Sequence, residues 1–333
     1  MIISVDAGRS ALKVVNEKWE TLRIPSVHGV VTKDFLKNAI LKRTELITSM
    51  PHFKDNEMWI VGRAAIDRMK SDQLIEVNEP KEFLKNATIY TLASLTEIDA
   101  ESGKIELLTQ LTSNDKKTFG KAIKKALDGT KEIHRYDSFG DPVAEYTFDI
   151  ETDVYLQGLC AYFDLLFDRE GNIDEELKRD TALVVDIGHQ STDIVLVKGL
   201  SISAVGSYPV GSGSIFYSIS DMLRKEGVSM AAKDIEWRFI EGRYNVKSRE
   251  NEFDIRELMQ EQAEKSAQRL VNFTLQEFAS ETIDKVILTG GSSELFFERF
   301  KESWPFCIQP EDPQFSNASG ALKWKLYGKN LSE

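Results

Sequence analysis

Apolar residues in ALVVDIGHQSTDIVLVK, residues 182–198, form two short β-branched runs on either side of a polar turn. Ala182 to Val185 run into Asp186, and Ile194 to Val197 lead away. Runs of that length, rich in Val and Ile and broken by a glycine, predict two buried strands of a hairpin with the polar residues gathered at its tip. The same arrangement opens the chain, where IISVDAGRSALKVV sets Asp6, Gly8, Ser10 and Lys13 between apolar runs. Aligned on Asp6 and Asp186, both segments read strand, Asp, one residue, Gly, two residues, a small or hydroxyl residue, strand. A repeat of this kind predicts two similar halves facing one another across a cleft.

Between and beyond the hairpins the periodicity changes. Trp59 to Val61 reads as a strand with Gly62 as the entry to a helix, inside a stretch of about residues 18–85 that lacks a strong helical period and predicts an inserted, surface-facing subdomain. Asn86–Ala100 predicts an apolar helix, Lys104–Thr112 a strand, Asn114 to about Leu127 a helix, and Tyr146–Ile150 a strand. Tyr155, Leu156, Leu159, Tyr162, Phe163 and Leu166 recur at helical spacing, with Gln157 and Gly158 at the start of that segment. The charged stretch Asp168–Asp180 predicts a domain boundary. Downstream, Gly211, Ser212 and Gly213 precede a helix, AAKDIEWRFIEG predicts a short helix closed by Gly242, and Asp254–Ser280 carries the longest helical stripe. DKVILTGGSSELF reads as strand, double-glycine turn and helix, and NASGALKWKLYG as a last helix whose Trp324 and Tyr327 dock on the first domain.

The hairpin tips have a chemical logic. Gly188 lets backbone approach a ligand, and turn N–H groups with the hydroxyls of Ser191 and Thr192 suit phosphate oxygens. Asp186 and Asp193 would repel a bare phosphate, and their presence makes sense if a divalent cation sits between carboxylate and phosphate. An ordinary hairpin with Asx-type turn bonds is the competing explanation. Likewise, small residues at 211–213 suit either an anion at a helix N-terminus or a plain cap.

Composition narrows the classes. The 333 residues are 41% hydrophobic and 29% charged, enough for two domains with substantial cores, and the net charge of -12 argues against wholesale binding to nucleic acid or an anionic membrane. Cys160 and Cys307 have no metal-ligand spacing and read as reduced, buried thiols. A strand-like start without a signal-peptide core, and the absence of a long apolar run, predict a cytoplasmic protein.

Together the two Asp-headed hairpins, ILTGGSS and the helices beginning near Gln157 and Asn317 resemble the α/β ATPase fold shared by actin, the sugar kinases and the seventy-kilodalton heat-shock chaperones. The hairpins resemble its two phosphate motifs and ILTGGSS its adenosine motif. Within that superfamily, the length and the VYLQGLCAYF segment look most like bacterial ParM-type actins. The resemblance implies two similar domains with a nucleotide cleft: domain I at 1–170, with the subdomain at about 18–85 and completed by a helix at 317–333, and domain II at 171–316, with a helical subdomain at about 214–280. It implies ATP, with GTP as a possible substitute, and Mg2+ held, through water, by Asp6 and Asp186. Gly8, Arg9, Ser10 and Lys13 would line one phosphate loop, and Gly188, His189, Gln190 and Ser191 the other. Gln157 would orient the attacking water. Gly290, Gly291 and Ser292 would meet adenine and ribose, with Gly211, Ser212 and Gly213 close by and Glu236 as a further ribose candidate. His189 departs from the pattern, since many relatives carry a second glycine there.

The function implied is a polymerising ATPase whose filaments segregate plasmid DNA through a DNA-bound adaptor, with no direct contact to nucleic acid or membrane. Three alternatives stand beside it: a small-molecule kinase, a non-polymerising regulatory ATPase and a membrane-associated cell-shape or division actin. A kinase would need an acid or base at a substrate pocket, and no further carboxylate stands out. A chaperone would carry a substrate-binding domain after Glu333, and the last residues, GALKWKLYGKNLSE, lack the clear amphipathic pattern of a membrane anchor.

Overall fold

The computed structural model describes the chain apart from residues 38–45, 52–56, 71–72, 77–79, 99, 248–251 and 333. The chain divides into two compact units, residues 1–172 with 315–333, and residues 173–314.

The first unit is built on a ten-stranded sheet. Its strands are β1 (Ile2–Ala7), β2 (Ala11–Asn16), β3 (Thr21–Pro25), β4 (Val27–Val31), β5 (Leu46–Ser49), β6 (Met58–Val61), β7 (Ile75–Glu76), β8 (Gly103–Leu111), β9 (Gly129–Tyr136) and β10 (Pro142–Leu156). Across the sheet they run β3-β2-β1-β8-β10-β9-β5-β6-β4-β7. Its helices include α1 (Lys33–Lys37), α2 (Arg63–Arg68), α3 (Pro80–Leu95), α4 (Ser113–Leu127), α5 (Leu159–Leu166) and the C-terminal helix Ser316–Tyr327. Strand β1 pairs antiparallel with β2 and parallel with β8. It is buried at nearly every position, as a central strand covered on both faces must be. On one face Phe83, Ala87 and Tyr90 of α3 and Ile123 and Leu127 of α4 share a core with Ile3, Val5 and Leu107. On the other, Ala318 and Leu322 cluster with Val15, and Ala321 with Leu108 and Cys160. At Gly320 a Cβ would lie 1.7 Å from the Cys160 carbonyl oxygen, so α5 and the C-terminal helix meet backbone to backbone. Trp324 stacks on Phe163 with ring centroids 4.2 Å apart, and Tyr327 packs near Phe167.

The second unit carries β11 (Thr181–Ile187), β12 (Thr192–Lys198), β13 (Ser201–Tyr208), a small hairpin β14 (Asn245–Lys247) and β15 (Glu252–Asp254), β16 (Lys285–Thr289) and β17 (Cys307–Ile308). Its main sheet runs β13-β12-β11-β16-β17. Leu183, Val185 and Ile187 of β11 share one core with α6 (Gly213–Lys225), α7 (Ala232–Ile240), α8 (Ile255–Glu277) and α9 (Phe297–Ser303), through Phe216, Ile235, Leu270 and Phe300 among others. Each such side chain contributes about 1.5–3 kcal/mol on burial. Strand β11 pairs antiparallel with β12 and parallel with β16, repeating the environment of β1. The register places Asp6 opposite Lys13 and Asp186 opposite Asp193, so the two aspartates hold matching positions in matching hairpins.

Several expected elements are redrawn. Tyr155 and Leu156 lie in β10, because that strand continues as the parallel neighbour of β8 as far as Leu156, and the helix begins only at Leu159. The expected helix at Asn86–Ala100 is α3, which starts earlier and ends at Leu95; residue 99 lies outside the described residues. Between residues 18 and 85, strands β3 to β7 extend the main sheet. β9 and β13 were not expected; their alternation is blurred by charged residues in GTKEIHRY and by small ones in SISAVGSY.

Candidate nucleotide site

In the first unit the turn after β1 is drawn tight by sequence. The Gly8 N–H donates to the Asp6 carbonyl at 2.9 Å, and a Cβ at Gly8 would lie 2.6 Å from the Ala11 carbonyl oxygen and 2.8 Å from Lys13 Nζ. The Ser26 hydroxyl donates to the Gly8 carbonyl at 2.5 Å, and the Ser26 N–H to the Ser10 carbonyl at 2.8 Å, so the turn is braced from its own sheet. Asp6 is buried, and its carboxylate is held from two sides: Gln157 Nε2 donates to Oδ1 at 2.5 Å, and Lys13 Nζ lies 3.3 Å from Oδ2. Gln157 reaches Asp6 because β10 ends beside β8 and Gly158, at φ +76°, turns the chain into α5. The Gln157 N–H donates to the Leu111 carbonyl, and the Gly158 N–H to Asn317 Oδ1, both at 2.9 Å.

Asp6, Gly8, Lys13 and Gln157 therefore converge, with Ser10 in the same braced turn. Arg9 takes another direction. Its guanidinium pairs with Asp115 at 3.5 Å and lies over the Phe83 ring, which ties the turn to α4 and α3. Ser26, Asp115 and Asn317 are structural partners that no sequence signal assigned to this site, because each lies on an element distant in sequence.

In the second unit the Gly188 N–H donates to the Ser191 carbonyl at 2.9 Å and closes the turn over His189 and Gln190. Residues 211–213 dock against it: the Ser212 N–H donates to the Gly188 carbonyl at 3.0 Å and the Gly213 N–H to the His189 carbonyl at 2.8 Å. A Cβ at Gly211 would lie 2.5 Å from both of those carbonyl oxygens, so only glycine fits. The Ser212 and Gly213 N–H groups are thus engaged by the turn at residues 188–191, and the segment braces it. The Gly290 backbone, at φ +101°, lies against Asp186; a Cβ there would be 2.7 Å from Asp186 Oδ1 and 2.3 Å from the Ile187 carbonyl oxygen. The Gly290 N–H and the Thr289 hydroxyl both donate to the Pro313 carbonyl at 3.0 Å. Beside it Gly291 opens onto free space, and Ser292 is buried. Glu236, buried on α7, lies with Oε1 3.0 Å from His189 Nδ1, joining two residues that sequence reading placed in separate roles.

Asp6 in the first unit and Asp186 in the second are each a buried, hard oxygen donor at the head of a glycine turn, the donor chemistry that Mg2+ takes. Among the described residues no group of three or more His, Cys, Asp or Glu is placed to hold a metal ion.

Residues 4–159 match the family described as actin like proteins, N terminal domain, and residues 184–302 match archaeal actin homologue MreB-like, C-terminal. The archaeal actin homolog Ta0583 in complex with ADP superposes with a TM-score of 0.77 at 19% identity, over 98% of this chain and 99% of that one. A subunit of the 15-stranded ParM filament from Clostridium botulinum superposes at 0.74 with 16% identity over 99% of each chain. ParM from Bacillus thuringiensis with AMPPNP gives 0.70 at 14% identity, over 97% of this chain and 98% of that one. No curated protein matches this chain by sequence.

Proposed function

We propose that this chain, an actin-like protein in fold and similar along its length to ParM-type actins, is a nucleotide-dependent polymerising ATPase. The observation that carries the reading is the duplicated Asp-headed hairpin, with Asp6 and Asp186 in matching register and each beside a tight glycine turn. Duplicated turns of this kind serve phosphates, and phosphoryl transfer depends on positioning and charge stabilisation more than on covalent chemistry.

In this reading the turns of Gly8 to Ser10 and of Gly188 to Ser191 bind phosphate oxygens, and Lys13 supplies positive charge. Asp6 and Asp186 hold hydrated Mg2+, which when bound neutralises phosphate charge. Gln157, fixed by its backbone bond to Leu111 and its amide bond to Asp6, orients the attacking water. Gly291, with open space above it, receives the adenine or guanine ring, and Gly290 and Ser292 lie beside it. Loss of the terminal phosphate removes contacts that favour the polymerising conformation, giving a nucleotide-controlled switch.

The likeness to a ParM filament subunit supports self-association, and a head-to-tail interface that does not close generates a filament. We assign the filament to segregation of plasmid DNA in the cytoplasm. With a net charge of -12 the chain reaches DNA through a DNA-bound adaptor. No helix among the described residues is long and apolar enough to cross a membrane.

The test is light scattering of the purified protein with Mg2+ and ATP, GTP or ADP, followed by phosphate release and negative-stain microscopy of the same samples. Nucleotide-dependent scattering with filaments is expected. Hydrolysis without polymer over a range of concentrations and salts would favour a small-molecule kinase or a regulatory ATPase.

A further inference from the structure

His189 stands in the phosphate turn where a glycine would give more room, and its ring is not left to solvent. Nδ1 lies 3.0 Å from Glu236 Oε1, and the Glu236 side chain is only 4% exposed against 20% for His189. The backbone of the same residue is fixed as well, since its carbonyl accepts the Gly213 N–H at 2.8 Å. Nε2 lies over the start of α6, 2.8 Å from where a Cβ on Gly213 would be. A carboxylate on one ring nitrogen fixes the tautomer and orientation of an imidazole and leaves the other nitrogen to act. Glu236 is thereby engaged through Oε1 by the turn at residues 188–191.

We propose that Glu236 is a positioning residue for the phosphate turn, acting through His189, and that the pair sets affinity for the phosphate end of the nucleotide. This rests on the nucleotide reading above. The energetic requirement is modest: a buried carboxylate bond that holds a ring and its turn in one arrangement removes ordering that the ligand would otherwise impose. The pair also links the turn to α7, so phosphate occupancy and the position of α7 are coupled within this unit.

The experiment measures equilibrium binding of ATP, ADP, 2′-deoxy-ATP and adenosine to the wild type, Glu236→Ala, Glu236→Gln, His189→Gly and the double variant Glu236→Ala with His189→Gly. Expected for Glu236→Ala is about tenfold weaker ATP binding with adenosine affinity unchanged, and the same ATP to 2′-deoxy-ATP ratio as in the wild type. Glu236→Gln, which still offers an oxygen to Nδ1–H, recovers most of the affinity. In the double variant Glu236→Ala adds no loss to that of His189→Gly, the signature of action through one partner. Additive losses, an equal loss for adenosine, or a changed ratio for 2′-deoxy-ATP would overturn the assignment and return Glu236 to ribose or to folding alone. Thermal melts of each variant identify any that unfold, and if Glu236→Ala does not fold, Glu236→Gln with and without His189→Gly carries the cycle, its ATP loss vanishing when His189 is absent. A wild type that binds adenosine and ATP equally would instead defeat the phosphate reading itself.

Discussion

Gln157→Ala tests the chemistry most directly. The amide of Gln157 donates to Asp6 Oδ1 at 2.5 Å, and Lys13 holds the other oxygen, so removing Gln157 leaves Asp6 still paired. Folding should therefore be little affected, and ATP should bind within about threefold of the wild type. The hydrolytic step should suffer more, because in the proposed role the amide orients the attacking water. A hydrogen bond to a charged group contributes about 1.5–3 kcal/mol, which corresponds to roughly a 10- to 150-fold slower turnover if it is expressed only in the transition state. The assay is single-turnover phosphate release from ATP, with nucleotide binding measured in parallel and light scattering followed through the time course. Polymer should persist in proportion to the slowed release. Turnover equal to that of the wild type, or a loss entirely in binding, would refute the assignment of Gln157 to the reacting water.

Asp186→Asn should abolish the gain in ATP affinity that Mg2+ gives over a chelator; an undiminished gain would place the metal elsewhere. Gly320→Ala sets a Cβ into the Cys160 carbonyl and should destabilise the first unit by at least about 1–3 kcal/mol in urea melts, and an unshifted midpoint would contradict the close approach of the two helices. His28 gives a pH signature. It is fully buried, with Nδ1 3.1 Å from the Tyr90 hydroxyl, and burial first, then Lys85, lowers its pKa from 6.5 to about 4. The unfolded chain takes up this proton before the folded one, so the contribution is complete above about pH 6.5 and is lost as pH falls toward 4, by roughly 3 kcal/mol in all. His28→Gln should flatten that part of the stability profile measured by urea midpoints; the same slope in both proteins would count against it.

Much of the site was legible because turn chemistry is local. Asp6 and Asp186, with the glycines after them, stand in matching sequence patterns, since a strand, a tight turn and a returning strand leave their mark within a few consecutive residues. The helices α4, α6, α7 and α8 were legible for the same reason: their caps and stripes are written within single segments. Tyr155 and Leu156 misled because an apolar run fits helical spacing and a buried parallel strand equally well, and only the pairing of β10 with β8 decides between them. The roles of 211–213 and of Arg9 also lay beyond sequence. A glycine cluster before a helix looks the same whether its N–H groups meet a ligand or the carbonyls of Gly188 and His189.

By itself the sequence determined the strand-turn-strand repeat with its aspartates and glycines, and the extent of several helices, all properties of neighbouring residues. Tertiary structure alone decided that Gln157 and Lys13 share Asp6, that Gly290 lies on Asp186, and that His189 and Glu236 form a pair. Those contacts join positions as far apart as 6 and 157 or 189 and 236. Their cost in chain entropy is met by the sheets and helices as a whole, so no local pattern marks them.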